Sequence, residues 1–149
     1  MSTVCFSSMG SASESGGLIL YHFRQEARLP IDQFFYPTNI PYNDETIIVF
    51  IDDALLSGGT GARNYYDYLK DKEYKKVYYL AIVASEGAVN KLADKGINVI
   101  YCALLDERNK TFSENSMVFH RYPTLKTYAR DISIKYGERI APENVQPLG

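Results

Sequence analysis

The sequence predicts an α/β fold: an open, mostly parallel sheet of four or five strands, with helices on both faces and a C-terminal helical extension. Three observations carry this. The apolar runs are apolar at every position rather than alternately, as strands buried on both faces require. Each run leads through a turn to a stretch with helical apolar spacing, the rhythm of right-handed βαβ units. From about Ser113 the pattern changes to helix and then a polar tail.

The first run, TVCFS from Thr3, leads through SMGSASESGG into LILYHFRQEA, where Leu20, Phe23 and Ala27 share a helical face. The segment LPIDQFFYPTNIPYNDE carries Pro30, Pro37 and Pro41, so irregular chain is expected there apart from a short strand at Phe34 to Tyr36. The second run, TIIVFI, precedes DDALLSGGTG and then ARNYYDYLKD, with Ala62, Tyr65, Tyr66 and Leu69 on one helical face. The third, KVYYLAIVA, leads to SEGAVNKLADKG. There Ser85 is placed to cap a helix, Val89, Leu92 and Ala93 face inward, and Gly96 ends it. The fourth run is INVIYCALL. Beyond it, the chain reads as helix interrupted near Pro123, with Leu125, Tyr128, Ala129 and Ile132 on an amphipathic face. Residues 1–112 form the expected core and residues 113–149 the extension. Both ends read as trimmed, or as completed by another chain.

Composition bounds the function. A chain of 149 residues is one domain by length, and 46% hydrophobic with 23% charged residues is ordinary for a globular protein. A net charge of −2 gives no electrostatic reason to expect nucleic-acid binding. No apolar run reaches the roughly 18 residues that span a bilayer, and MSTVCFSSMG lacks the basic start and apolar core of a signal peptide. Cys5 and Cys102 form neither a metal-ligand spacing nor a disulfide framework, so a reduced, cytoplasmic protein is expected. Thirteen tyrosines without a tryptophan fit either an interface or half-buried strand ends and helix faces.

The chemistry concentrates in IIVFIDDALLSGGTG, Ile47 to Gly61. Ligands of open parallel sheets sit at the carboxyl ends of strands, near a topological switch point. Asp52 and Asp53 close the second strand, so at least one should face that crevice. Ser57, Gly58, Gly59 and Thr60 then lead into a helix, whose first amides form an anion site without any lysine. Two carboxylates would repel a bare phosphate. They make sense against sugar hydroxyls, or against a divalent cation shared with further phosphates. A ribose 5-phosphate unit meets both demands. A Walker loop is excluded because no lysine follows these glycines, and a dinucleotide fingerprint because Asn64 stands where its third glycine belongs.

Ile48-Val49-Phe50-Ile51-Asp52-Asp53 followed by Ser57-Gly58-Gly59-Thr60 resembles the phosphoribosyl-diphosphate (PRPP) motif of type I phosphoribosyltransferases. The resemblance implies a phosphoribosyltransferase-like fold in which Asp52 and Asp53 hold the ribose hydroxyls, and Mg²⁺ through the ligand, while Ser57 to Gly61 bind the 5-phosphate. By the same likeness VASEGAVNKLADKGINVIYCALLDE is similar to the following strand-helix-strand, whose last loop faces the base. The turn Gly10-Ser11-Ala12-Ser13 would be the diphosphate loop, although a flexible linker reads equally from its composition. Asp106, with Glu107 and Arg108, is placed either for base contact or as a solvated charge cluster.

Ala54 and Leu56 depart from the usual motif, and neither a basic pair after the first helix nor a base-recognising hood is evident. The trimmed form, with FIDD, SGGT and a terminal PLG, is similar to phosphoribosyltransferase-like proteins of bacterial conflict and antiphage systems. Two functions stay open: a Mg²⁺-dependent transferase acting on PRPP or a nucleotide, and a non-catalytic nucleotide-sensing effector working through a protein partner or a homo-oligomer.

Overall fold

A computed structural model of the protein describes residues 3–8, 15–57, 59, 69, 71–119 and 121–140. The chain divides into two compact units, Met1–Leu104 and Leu105–Gly149. The first is built on strands β1 (Val4–Ser8), β2 (Ile47–Leu55), β3 (Lys76–Ser85) and β4 (Ile97–Leu105), with helices α1 (Ser15–Ala27) and α2 (Glu86–Ala93). The strands form one parallel sheet in the order β1-β2-β3-β4, in register from Val4 beside Ile47 to Leu55 beside Ala84.

Alternation along β2 sends its side chains to two separate cores. Phe6, Val49 and Ile51 pack with Ile19, Leu20 and Phe23 of α1 on one face. Cys5, Ile48 and Phe50 pack with Leu69 and with Ala88 and Leu92 of α2 on the other. Helices therefore cover both faces. The inward stripe of α1 is Ile19, Leu20 and Phe23, and the expected Ala27 is exposed because the helix ends there. In α2, Ala88 and Leu92 are buried while the expected Ala93 is exposed.

The proline-rich segment makes two short 3₁₀ turns, Ile31–Gln33 and Pro37–Asn39. The strand expected at Phe34 to Tyr36 is reduced to a single parallel bridge from Phe34 to Phe6. The Phe35 amide donates to the Phe6 carbonyl at 2.9 Å, on the edge of β1 that β2 leaves free. The chain thus steps outward from β1 in one direction through α1 to Phe34. It then crosses to the other face, where Ile40 joins the second core, and re-enters on the opposite side of β1 as β2. The four strands follow one another in order across the sheet, and it is the Phe34 bridge on the far edge of β1 that makes the chain change direction there, the mark of a topological switch point between β1 and β2.

Two expectations about strands need correction. β2 does not stop at the acidic pair but pairs with β3 as far as Leu55, so Asp52 and Asp53 lie within its last turn of pleat. β4, apolar enough to be buried on both faces, is exposed along most of its length because it is the outer strand of the sheet.

The second unit holds a 3₁₀ turn at Glu107–Asn109 and the helix α3, Pro123–Ile140. Pro123 opens this helix rather than interrupting one, since a first-turn proline lacks only an N–H that would have no intrahelical partner. Leu125, Tyr128 and Ile132 form the expected apolar stripe and are exposed.

Candidate functional site

Alternation on β2 starts Asp52, after Phe50, toward the α2 side and Asp53, after Ile51, toward the α1 side. At the strand end the two side chains nevertheless come within hydrogen-bond reach of one another. Their other partners differ. The Tyr79 hydroxyl donates to Asp52 Oδ2 at 2.7 Å, and the Asp53 amide donates to Asp52 Oδ1 at 2.9 Å. Burial pushes the Asp52 carboxyl above the usual carboxylate range, with the Tyr79 bond opposing it. Asp53 lies lower than usual, held down first by a hydrogen bond from the Ser15 side chain. Burial also drives Tyr79 far above the ordinary phenol range, so it stays a proton donor.

Ser15 opens α1 and Tyr79 lies in β3, so the acidic pair is gripped from both neighbouring elements of the switch point. Sequence reasoning missed both residues. Ser15 sits in the Ser/Gly tract between the first strand and its helix, where position alone flags it. Tyr79 reads as one of two adjacent tyrosines in an apolar run, and only strand register brings it to Asp52.

The turn after β2 is anchored at its start. The Ser85 hydroxyl donates to the Leu56 carbonyl and accepts from the Ala88 amide at 3.2 Å, so the predicted cap of α2 also holds the loop. Ser57 is exposed, and its Oγ accepts the Gly59 amide at 3.2 Å. Gly59 has helical backbone, and a Cβ there would come within 3.2 Å of the Ser57 oxygen. That amide already has a protein partner, which an incoming anion would have to displace. Gly58, Thr60 and Gly61, and the whole turn Gly10, Ser11, Ala12 and Ser13, lie outside the described residues.

Asp106 is engaged locally in the second unit. Its carboxylate caps the Glu107–Asn109 turn by accepting the Arg108 amide at 2.9 Å, and pairs with the Arg108 guanidinium at 2.6 Å. That partner holds its carboxyl below the usual range. The arrangement is that of a self-contained charge cluster.

Among the described residues, no lysine or arginine is ion-paired with Asp52 or Asp53, and no three His, Cys, Asp or Glu gather as a metal site. Two hard carboxylates suit Mg²⁺ when the remaining ligands come from substrate oxygens and water, the usual way this ion is held. An apolar cavity of about 410 Å³ lies on the α1 side of β3 and β4, lined by Ile19, Phe23, Leu80, Ile82 and Ile100, with Asp52 also in its wall. No helix among the described residues is long and apolar enough to cross a membrane.

The sequence profile of the PRTase-CE family matches residues 1–149. The chain belongs to the PRTase-CE family. Solved structures agree on the fold. An orotate phosphoribosyltransferase from Aeropyrum pernix aligns with a TM-score of 0.50 at 20% identity, over 67% of this chain and 58% of its own. The AQ2163 protein from Aquifex aeolicus aligns with a TM-score of 0.54 at 16% identity, over 70% of this chain and 56% of its own. This PRTase-CE chain thus spans little more than half the length of either structure. No curated protein matches it. A type I phosphoribosyltransferase-like family and fold follow, with the acidic pair of this PRTase-CE member at the sheet's switch point.

Proposed function

We propose that this PRTase-CE protein binds a ribose 5-phosphate ligand, PRPP or a nucleotide, with Mg²⁺ at the carboxyl end of β2. The observation that carries the reading is the acidic pair: two carboxylates at a switch point, each held by a protein hydroxyl and neither neutralised by a described cation. Asp52 and Asp53 would take the ribose hydroxyls and, through the ligand, the metal. Ser57 to Gly61 would take the 5-phosphate, and Gly10 to Ser13 the diphosphate. Asp106 would approach a base only by giving up its bond to Arg108. Mg²⁺ would neutralise phosphate charge.

If the protein is a transferase, a nucleophile's lone pair forms a bond to C1 of the ribose while the C1–O bond breaks and diphosphate leaves with its electrons. Positive charge develops on the ring, and the nearby carboxylates stabilise it.

Titration calorimetry with PRPP and Mg²⁺ tests the site. Saturable binding is expected for the wild type, with loss of at least tenfold in affinity for Asp52→Asn with Asp53→Asn; unchanged binding by that double variant would exclude the acids from the site. Release of diphosphate in the presence of a panel of bases tests turnover.

A second reading is a non-catalytic nucleotide-sensing effector, acting through a protein partner in an antiphage or conflict system. The Gly59 amide satisfied by Ser57 and the exposed apolar strand β4 favour it. Binding without diphosphate release supports this reading.

A further inference from the structure

The Tyr79 hydroxyl is out of place in packing terms. The side chain is 1% exposed, in the core beside Phe50, its register neighbour on β2. A phenylalanine would fill that space without bringing a polar atom into the core. Buried hydroxyls need partners, and this one reaches two residues along the sheet to Asp52 Oδ2 at 2.7 Å. The other oxygen, Oδ1, accepts the Asp53 amide at 2.9 Å. A carboxylate held at both oxygens cannot turn about its side-chain torsions. An ionised carboxylate has about four acceptor positions; Tyr79 and the Asp53 amide take two and the Asp53 side chain lies against a third, which leaves Asp52 able to receive a ribose hydroxyl beside Asp53.

We infer that Tyr79 is a positioning residue for sugar recognition: it fixes the Asp52 carboxylate in the plane in which that acid receives a ribose hydroxyl of a sugar phosphate. This rests on the ribose 5-phosphate reading above. Tyr79 itself touches no ligand. It acts through Asp52, so its removal weakens recognition of the sugar and leaves the phosphate subsite alone. Tyr78, one residue earlier, packs on the α1 face instead and plays no such part.

The test measures binding of ribose 5-phosphate with Mg²⁺, and of inorganic phosphate with Mg²⁺, to the full chain. Wild type, Tyr79→Phe, Tyr78→Phe, Asp52→Asn and the pair Tyr79→Phe with Asp52→Asn are compared. The phenylalanine preserves the core volume, and thermal unfolding of each variant confirms that it is folded. Tyr79→Phe is expected to weaken ribose 5-phosphate about tenfold, as loss of a hydrogen bond to a charged group would. Inorganic phosphate is expected to bind as before, Tyr78→Phe to behave as wild type, and Tyr79→Phe to add nothing once Asp52 is asparagine. Equal loss for both ligands, independent losses in the double variant, or no loss at all overturns the assignment. Should the wild type bind phosphate but gain nothing from the sugar, or bind neither ligand, the ribose 5-phosphate reading itself fails and takes this inference with it; the wild-type arm reads that failure and the Tyr79 arm reads the other.

Discussion

Asp52 and Asp53 are adjacent in sequence and opposite in their effect on stability. Burial raises the Asp52 carboxyl above its unfolded value of about 4. The native state then binds more protons than the unfolded state in the window above that value, so stability falls as pH rises through it and the charged form is a net cost at neutrality. Asp52→Asn removes the charge and keeps an acceptor for Tyr79. It is expected to raise the urea midpoint at pH 7 and to approach the wild type once the pH falls below about 4, where the Asp52 carboxyl is neutral in the folded and the unfolded chain alike. Asp53 is depressed instead, first by Ser15. Its contribution is present above the unfolded value and is lost as pH falls through the folded one, so Asp53→Asn is expected to lower the midpoint at pH 7. A stabilising substitution that weakens ligand binding is the pattern expected of a functional site. Equal shifts for the two variants in urea titrations would contradict this division.

At the scale of elements, helix ends carry the next prediction. α1 closes on Arg28, whose φ of 52° lies in the left-handed region. The Arg28 amide donates to the Gln25 carbonyl at 3.2 Å and the Leu29 amide to the Arg24 carbonyl at 3.1 Å, the double closure that normally uses glycine. A Cβ in that conformation costs roughly 1 kcal/mol, so Arg28→Gly should stabilise the fold by about that amount. α2 closes on Gly96, with φ of 74°, and Gly96→Ala should lose about 1 kcal/mol there. Denaturant unfolding of the two variants should move the midpoint in opposite directions. The glycine end of α2 was legible from its sequence, and so was the Ser85 cap. The arginine end of α1 was not, because no residue type announces a left-handed arginine; the closing hydrogen bonds and the packing of Leu29 in the α1 core impose it.

The whole molecule separates its two cysteines. Cys5 lies in the α2-side core at 0% exposure, and burial pushes its thiol up, whereas Cys102 on β4 is exposed. A thiol reagent should modify Cys102 in the native protein and Cys5 only on unfolding; two fast thiols in the folded protein would contradict the burial of Cys5 in the α2-side core. The same asymmetry explains where sequence reasoning went astray. Apolar runs located all four strands, but β4 is as apolar as β2 and is exposed, because burial depends on which strands lie in the middle and which faces the helices reach. Likewise Phe34 has strand-like neighbours, yet makes only one bridge since the prolines around it remove further ladder bonds.

Local pattern alone determined the βαβ rhythm, the cap at Ser85, the stop at Gly96 and the position of the acidic pair before a glycine turn, since these depend on residues near one another in the chain. Only tertiary structure decided that Asp52 and Asp53 take Tyr79 and Ser15 as their respective partners. Those contacts span 27 residues to Tyr79 in one direction and reach back to the start of α1 in the other. The β2–β3 register and the placement of α1 beside β2 create them, and neither is written in any local stretch of the chain.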